Sequence, residues 1–216
     1  MGQKVNPLGF RLGVLYKPSS IWFASKKDYQ TLVLQDIKLK EFIMKKLQLA
    51  GIASVEIERS INTMRVVVNA ARPGIVIGRG GTNLELLKKE IEKYLKTIGA
   101  NSSLKFQLDI KEVKNPDLCA KLVAERIVDQ LIKRYPHRRA ISSAQERVMS
   151  AGAKGIKFQL SGRIGGAEIG RTEKYAFGSI PTQTLRSDID YAEVPALTRS
   201  GYVGIKIWIY TGEATL

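Results

Sequence analysis

A glycine-rich turn at residues 78–81 limits the fold of this chain more than any other part of the sequence. The turn consists of Gly78, Arg79, Gly80 and Gly81. Glycines adopt positive φ angles and leave no Cβ between the main chain and an approaching phosphate. Thr82 and Glu85 follow at the spacing of a capping box, which predicts a helix with Thr82 as its N-cap. The positive end of that helix dipole would face the turn, so the turn suits the backbone of a nucleic acid.

The segments around the turn show the periodicities of short strands and amphipathic helices. In chain order they are a helix at 36–49, strands at 54–58 and 63–70, a short helix opened by Pro73, a helix at 82–98 and a strand at 104–111. This order, α-β-β-α-α-β, predicts a type II KH domain over residues 17–112, with a three-stranded sheet and its helices on one face. The G-x-x-G loop of such a domain clamps about four nucleotides. Without this context, an isolated G-x-x-G would indicate only a surface turn.

The charge balance of the chain points to a polyanionic partner. Lys and Arg number 35 against 20 Asp and Glu, which gives a formal net charge of +15. Because the surplus is largest in the first quarter of the chain, we predict that residues 1–16 form a basic arm that binds RNA. The candidate contacts in this arm are Gln3, Lys4, Asn6 and Arg11. A basic surface that serves only solubility is the alternative.

The sequence lacks the residue clusters that catalysis and metal binding require. His137 is the single histidine and Cys119 the single cysteine, and they lie apart in the sequence. Neither the turn at 78–81 nor a second glycine cluster at 162–166 matches a nucleotide-binding motif. Asp188 and Asp190 are expected to pair with arginines or to cap a turn. We therefore expect no enzymatic activity, no cofactor and no metal.

No apolar run approaches the roughly eighteen residues that span a bilayer, and the first residues lack the apolar stretch of a secretory signal. The chain is therefore expected to bind no membrane and to stay in the compartment where it is made. Cys119 has no partner for a disulfide. It is predicted to be a small core residue on the apolar side of a helix, in a reducing compartment.

Residues 113–216 predict a second α+β domain, in which two helices pack on a mainly antiparallel sheet. Asn115 and Pro116 have the form of a helix start, and apolar residues then recur every four positions until Pro136 ends the helix. The elements that follow are a helix at 137–151 and strands at 156–161, 168–175 and 203–210. Apolar and polar residues alternate strictly in the first and last of these strands. This alternation predicts that one face of the sheet packs on the two helices.

The other face of this sheet combines cations with aromatic rings. Its residues are Lys157, Lys206, Trp208 and Tyr210. Such a face can stack on bases or pack on another protein, and the sequence leaves both possibilities open.

A basic run spans the end of the first helix of this domain and the start of the second. Its members are Lys133, Arg134, Arg138 and Arg139. Arginine carries bidentate donors that suit phosphate, so we predict that this run contacts RNA. A solvated helix turn is the alternative.

Several long motifs in the right order resemble the bacterial-type small-subunit ribosomal protein S-three family, and the resemblance covers essentially the whole chain. The matching segments are 1–13, 22–24, 71–81, 115–124, 152–157, 161–169, 184–186, 188–191 and 204–209. The resemblance implies a structural RNA-binding protein in the head of the small ribosomal subunit, beside the messenger entry channel. The ribosome would be cytoplasmic, or that of an organelle matrix.

The resemblance also implies partners and further site residues. The expected partners are small-subunit ribosomal RNA, messenger RNA at the entry channel, and neighbouring head proteins of the S-ten and S-fourteen families. Arg138 and Arg139 match basic positions that face incoming messenger and support its unwinding, whereas a third such position is Ser142 here. Further RNA-binding candidates are Arg72, Arg163 and Arg171. A free KH-domain regulator acting on RNA outside the ribosome is the alternative function.

Overall fold

The computed structural model describes residues 3–98 and 105–214, without the side chain of Arg79. The chain divides into two compact units. We call Pro18–Lys114 the KH unit, and the segment up to Lys17 together with Asn115–Leu216 the carboxy-terminal unit.

The helices and strands follow the predicted order, with α1, β1 and β7 as additional elements. The helices are α1 (Pro7–Arg11), α2 (Lys26–Lys46), α3 (Pro73–Ile77), α4 (Thr82–Thr97), α5 (Ala120–Ile132) and α6 (His137–Ser150). The strands are β1 (Ser20–Ile21), β2 (Ile52–Arg59), β3 (Thr63–Ala70), β4 (Lys105–Glu112), β5 (Gly155–Gly162), β6 (Arg171–Gly178), β7 (Ser187–Thr198) and β8 (Gly201–Glu213).

The KH unit is a sheet with the strand order β1-β2-β3-β4, in which β2 and β3 are antiparallel and the outer pairs are parallel. Its larger elements follow the predicted order α-β-β-α-α-β, and the two-residue β1 adds a fourth strand to the predicted three. Leu104, predicted to open the last strand, lies outside the described residues.

Helices α2 and α4 cover one face of this sheet. Leu39 and Ile43 of α2 are fully buried, as is Ile91 of α4, and all three join the strand side chains in one core. Phe42 and Tyr94 stack between the two helices with their ring centroids 4.3 Å apart. The helical periodicity of the sequence thus predicted the buried faces, because apolar residues three and four apart lie on one side of a helix.

The carboxy-terminal unit contains an antiparallel sheet with the strand order β6-β5-β8-β7. Phe158 of β5 and Ile207 of β8 are fully buried and pack in one core with residues of α5 and α6. The predicted α+β fold, with two helices on one face of the sheet, is confirmed. The predicted strand order lacks β7, the strand of twelve residues on which Asp188 and Asp190 lie.

Helix α5 begins at Ala120 rather than at Pro116, because a short 3₁₀ turn, Pro116–Leu118, precedes it. Asp190 of β7 accepts a hydrogen bond of 2.6 Å from the Ala120 amide and so caps the helix from a distant strand. Burial raises the pKa of Asp190, while the Ala120 and Tyr191 amides act to lower it. Cys119 occupies the N-cap position, and burial raises the pKa of its thiol.

The amino-terminal segment is not a separate arm, contrary to the sequence prediction. Arg11 is 0% exposed. Its guanidinium donates hydrogen bonds to the carbonyl oxygens of Pro7 (3.0 Å), Pro181 (3.4 Å), Thr182 (3.0 Å), Thr184 (2.9 Å) and Ser187 (2.6 Å). The prediction that Arg11 binds RNA is therefore wrong, since its donors are used inside the protein. Asn6 caps α1 by accepting from the amides of Leu8 (2.9 Å) and Gly9 (3.3 Å).

Candidate nucleic-acid interface

The glycine turn joins α3 to α4 through three glycines that have positive φ angles. Gly78 has φ 71° and ψ −178°, a conformation that is essentially confined to glycine. Gly80 (φ 62°) and Gly81 (φ 81°) are left-handed. Gly81, not Thr82, is the N-cap residue of α4, so the predicted capping box is wrong. The left-handed Gly81 brings the chain directly into the helix, and Thr82 becomes its first residue.

A glycine is also required at position 78 because the side chain of Asn83 lies against it. A Cβ at this position would lie 2.6 Å from Cγ of Asn83, which is closer than side chains tolerate. Asn83 in turn reaches back to the Ile75 carbonyl oxygen at 3.5 Å. Gly80 differs, because a Cβ there would meet nothing within 4 Å. The open side of the turn at Gly80 leaves room for a backbone phosphate.

Exposed side chains flank the glycine turn. Ile75 and Ile77 are 45% and 39% exposed, which is unusual for two isoleucines so close together. Arg72, an RNA-binding candidate, is exposed at the N-cap position of α3. Apolar side chains next to a cation can contact bases and phosphates of the same strand.

We expect Gly78→Ala to impair this turn more than Gly80→Ala does. The Gly78 variant adds a clash to a strained conformation and should cost about 3 kcal/mol of stability. The Gly80 variant places alanine in the left-handed region without a clash and should cost about 1 kcal/mol. Urea unfolding of the two variants, alongside their affinity for single-stranded RNA, measures the difference. Equal losses of stability at the two positions would contradict the assigned role of Asn83.

The basic run of the carboxy-terminal unit lies on its surface. Lys133, Arg134, Arg138 and Arg139 are all exposed. The opposite side of α6 is buried in the core through Ala140, Ile141, Ala144 and Val148. Ser142 is also exposed, so a side chain at this position faces solvent as those of Arg138 and Arg139 do. All four predicted cations therefore lie on the surface of the unit.

A carboxylate that the sequence analysis missed holds the start of α6. Glu173 of β6 accepts from Nε2 of His137 at 3.0 Å and from Nε of Arg171 at 2.7 Å. The Tyr175 hydroxyl also donates to Glu173, and this bond, together with the neighbouring Arg171 guanidinium, lowers the pKa of Glu173. Arg171, an RNA-binding candidate, is thus paired with a carboxylate. The alternation of Arg171, Glu173 and Tyr175 along one strand was the sequence signal for this cluster.

The remaining candidates lie on exposed parts of the same unit. Arg163 is exposed, yet its Nε donates to the Ala167 carbonyl oxygen (2.8 Å) and its Nη1 to that of Ser200 (3.1 Å). Gln3 and Lys4 are exposed and line a cavity of about 640 Å³ over the outer face of the sheet. That cavity also contains Lys157 and Trp208, which make a cation–π contact with the ammonium 5.0 Å from the ring centroid.

Residues 3–98 and 105–214 contain no group of three or more histidine, cysteine, aspartate or glutamate side chains that could hold a metal ion. Within the same ranges, none of the helices combines the length and the apolar character needed to cross a membrane.

Comparisons with known proteins match this architecture. A KH domain model matches residues 38–118, and a model of the ribosomal protein S3 C-terminal domain matches residues 127–209. The small ribosomal subunit protein uS3 of Caldicellulosiruptor bescii is 51% identical over 213 residues, which cover 99% of this chain and 93% of that protein. The proteins of the same name from Desulforudis audaxviator and Bacillus thuringiensis are 46% and 49% identical, over 99% of this chain and 94% of each relative. The chain belongs to the uS3 family of small ribosomal subunit proteins.

Proposed function

We propose that the chain holds ribosomal RNA in the head of the small subunit and lines the messenger entry channel, where it assists messenger unwinding. As a member of the uS3 family it is a structural, non-enzymatic component of the small ribosomal subunit, with ribosomal RNA and ribosomal proteins as partners. We propose further that it contacts messenger RNA and neighbouring head proteins of the S-ten and S-fourteen families.

The observation that carries the proposal is the exposed basic run from Lys133 to Arg139. An unwinding surface must attract a phosphate backbone without binding specific bases, and exposed arginines do this through charge and bidentate hydrogen bonds. Glu173 supports the arrangement, because it anchors His137 at the first residue of α6 and so fixes the direction of the helix that carries Arg138 and Arg139.

The glycine turn of the KH unit supplies the second RNA contact in this proposal. It offers an open main chain at Gly80, two exposed isoleucines and Arg72, a combination that suits a strand of ribosomal RNA with unstacked bases. Gln3, Lys4, Arg163 and Arg171 remain surface candidates for ribosomal RNA.

Small subunits reconstituted with Arg138→Ala/Arg139→Ala protein test the messenger role. We expect ribosomes carrying this variant to unwind a messenger hairpin several-fold more slowly, because two phosphate contacts are lost. The converse variant, Ser142→Lys, places a cation one turn further along α6 and should accelerate unwinding above the parent rate.

Arg186→Ala is the matched control, since Arg186 is an exposed arginine of the same unit outside the basic run, 4.0 Å from Glu213. Equal incorporation of all variants into subunits must be measured first, so that assembly is separated from unwinding. Parent-like unwinding by the double alanine variant would refute the proposed role of the basic run.

A further inference from the structure

A second cavity lies beside the basic run, at one end of the carboxy-terminal unit. Its volume is about 370 Å³, within the range of about 300–1,000 Å³ that small-ligand sites occupy. The end of α5, the start of α6, the 3₁₀ turn Ile164–Gly166 and the turn between β7 and β8 form its walls. Three arginines line it, Arg134, Arg163 and Arg199, and its described lining includes no carboxylate.

The positions of these arginines suit an anion. Arg163 is held by its bonds to the Ala167 and Ser200 carbonyl oxygens, so its planar guanidinium is fixed before a ligand arrives. Arg199 is exposed in the turn that Thr198 closes by donating to the Gly201 carbonyl oxygen at 2.7 Å. Neither Arg134 nor Arg199 forms a salt bridge within the described ranges 3–98 and 105–214.

Arg134 adopts an unfavourable backbone conformation at the edge of this cavity. Its φ is 59°. Within residues 3–98 and 105–214, every other residue with a positive φ is a glycine. The amide of Arg134 donates to the Leu131 carbonyl oxygen (3.0 Å) and that of Tyr135 to the Gln130 carbonyl oxygen (2.9 Å), which together form a Schellman motif. Glycine is the preferred residue here, and arginine costs about 1 kcal/mol. Strain of this kind often marks a functional position.

Two glycines in the cavity wall have nearly the same backbone conformations as two glycines of the KH turn. Gly165 has φ 67° and ψ 14°, against φ 62° and ψ 18° for Gly80. The next residue is a left-handed glycine in both turns, Gly166 and Gly81. A Cβ at Gly165 would meet nothing within 4 Å, as at Gly80, so the main chain is open to a ligand in both turns.

We propose that this cavity binds one nucleotide of single-stranded RNA, with a phosphate among Arg134, Arg163 and Arg199 and the base against Tyr135 and Pro136. Tyr135 lines the cavity and is 45% exposed, so its ring is free to contact a base. The inference rests on the proposed messenger contact of the basic run and deepens it, because the cavity would hold the strand that Arg138 and Arg139 attract.

The test measures binding of a fluorescent single-stranded oligouridylate to the full-length protein by anisotropy over a range of salt concentrations. Arg134→Gly and Arg199→Ala should each weaken binding several-fold and reduce the magnitude of the salt slope by about 0.7, the value for one lost contact to single-stranded nucleic acid. Arg134→Gly should not lower stability, because glycine relieves the strained conformation. Its loss of affinity therefore cannot result from unfolding. Arg186→Ala is the control and should bind as the parent does.

The outcomes separate this inference from the proposed function. Parent-like affinity of both Arg134→Gly and Arg199→Ala, together with weaker binding by Arg138→Ala/Arg139→Ala, would overturn the cavity site alone. Parent-like affinity of all these variants would overturn both assignments. Competition with uridine monophosphate distinguishes a nucleotide site from a phosphate site: inorganic phosphate that competes equally well would overturn the assignment of the base to Tyr135 and Pro136.

Discussion

Replacement of Arg11 by alanine is expected to destabilise the carboxy-terminal unit by about 3–5 kcal/mol, which is a large part of the stability of a domain of this size. Hydrogen bonds to a charged group contribute about 1.5–3 kcal/mol each, although they do not add fully when they share one donor group. Alanine would leave an empty site and several carbonyl oxygens, including those of Thr184 and Ser187, without the donor that they now have. Arg11→Lys should recover less than half of the loss, because an ammonium cannot reach these acceptors in one plane.

Trp208 emission during urea unfolding, in a Trp22→Phe background, reports on the carboxy-terminal unit alone, since the chain has two tryptophans and they lie in different units. Lys17→Ala removes an exposed cation from the same amino-terminal segment and is the control for the loss of charge. A change below about 1 kcal/mol for Arg11→Ala, the size of a surface effect, would show that the buried guanidinium is not the anchor of this segment.

Asp36→Ala should have a comparable effect on the KH unit. The Asp36 and Arg59 side chains are only 6% and 8% exposed and form a salt bridge. Asp36 also accepts from Nε1 of Trp22 at 2.8 Å, and Arg59 donates to Gln35 at 3.1 Å. Removal of the carboxylate leaves a buried guanidinium uncompensated, which costs about 3–5 kcal/mol.

A second variant distinguishes loss of the ion pair from loss of packing. Asp36→Leu/Arg59→Met removes both charges and keeps apolar volume, so it should be clearly more stable than Asp36→Ala. Trp22 emission in a Trp208→Phe background follows unfolding of the KH unit. Glu90→Ala breaks the exposed Lys46 pair, whose side chains are 47% and 49% exposed, and should cost less than about 1 kcal/mol. A double variant no more stable than Asp36→Ala would refute the uncompensated charge as the cause.

Because Arg11 is buried, a deletion of the amino-terminal segment does not test the RNA-binding candidates Gln3 and Lys4 alone. A deletion of residues 3–11 would remove Gln3 and Lys4 from the surface and the Arg11 guanidinium from the core together. A loss of RNA affinity in such a deletion therefore reports on both binding and folding. Single substitutions at Lys4, which is exposed, separate the two effects.

Local patterns were enough to predict most of the fold. The alternation in β5 and β8 and the apolar spacing along α2 and α4 place side chains on one face of an element whatever its neighbours are. The turn at residues 78–81 is equally predictable from the sequence, because the conformations that its glycines adopt are accessible to few other residues. Side-chain periodicity and backbone freedom are properties of short segments, so the sequence alone determined the KH order, the α+β class and the exposed basic run.

The tertiary structure decided which polar residues serve the protein rather than RNA. By composition Arg11 is one more basic residue, but four of its acceptors, from Pro181 to Ser187, are 170 to 176 positions away in the sequence. Asp190 caps α5 across 70 positions, and the arginines of the second cavity come from three separate segments. Whether a cation is exposed or buried depends on which distant carbonyl oxygens reach it after folding, and no local pattern encodes those contacts.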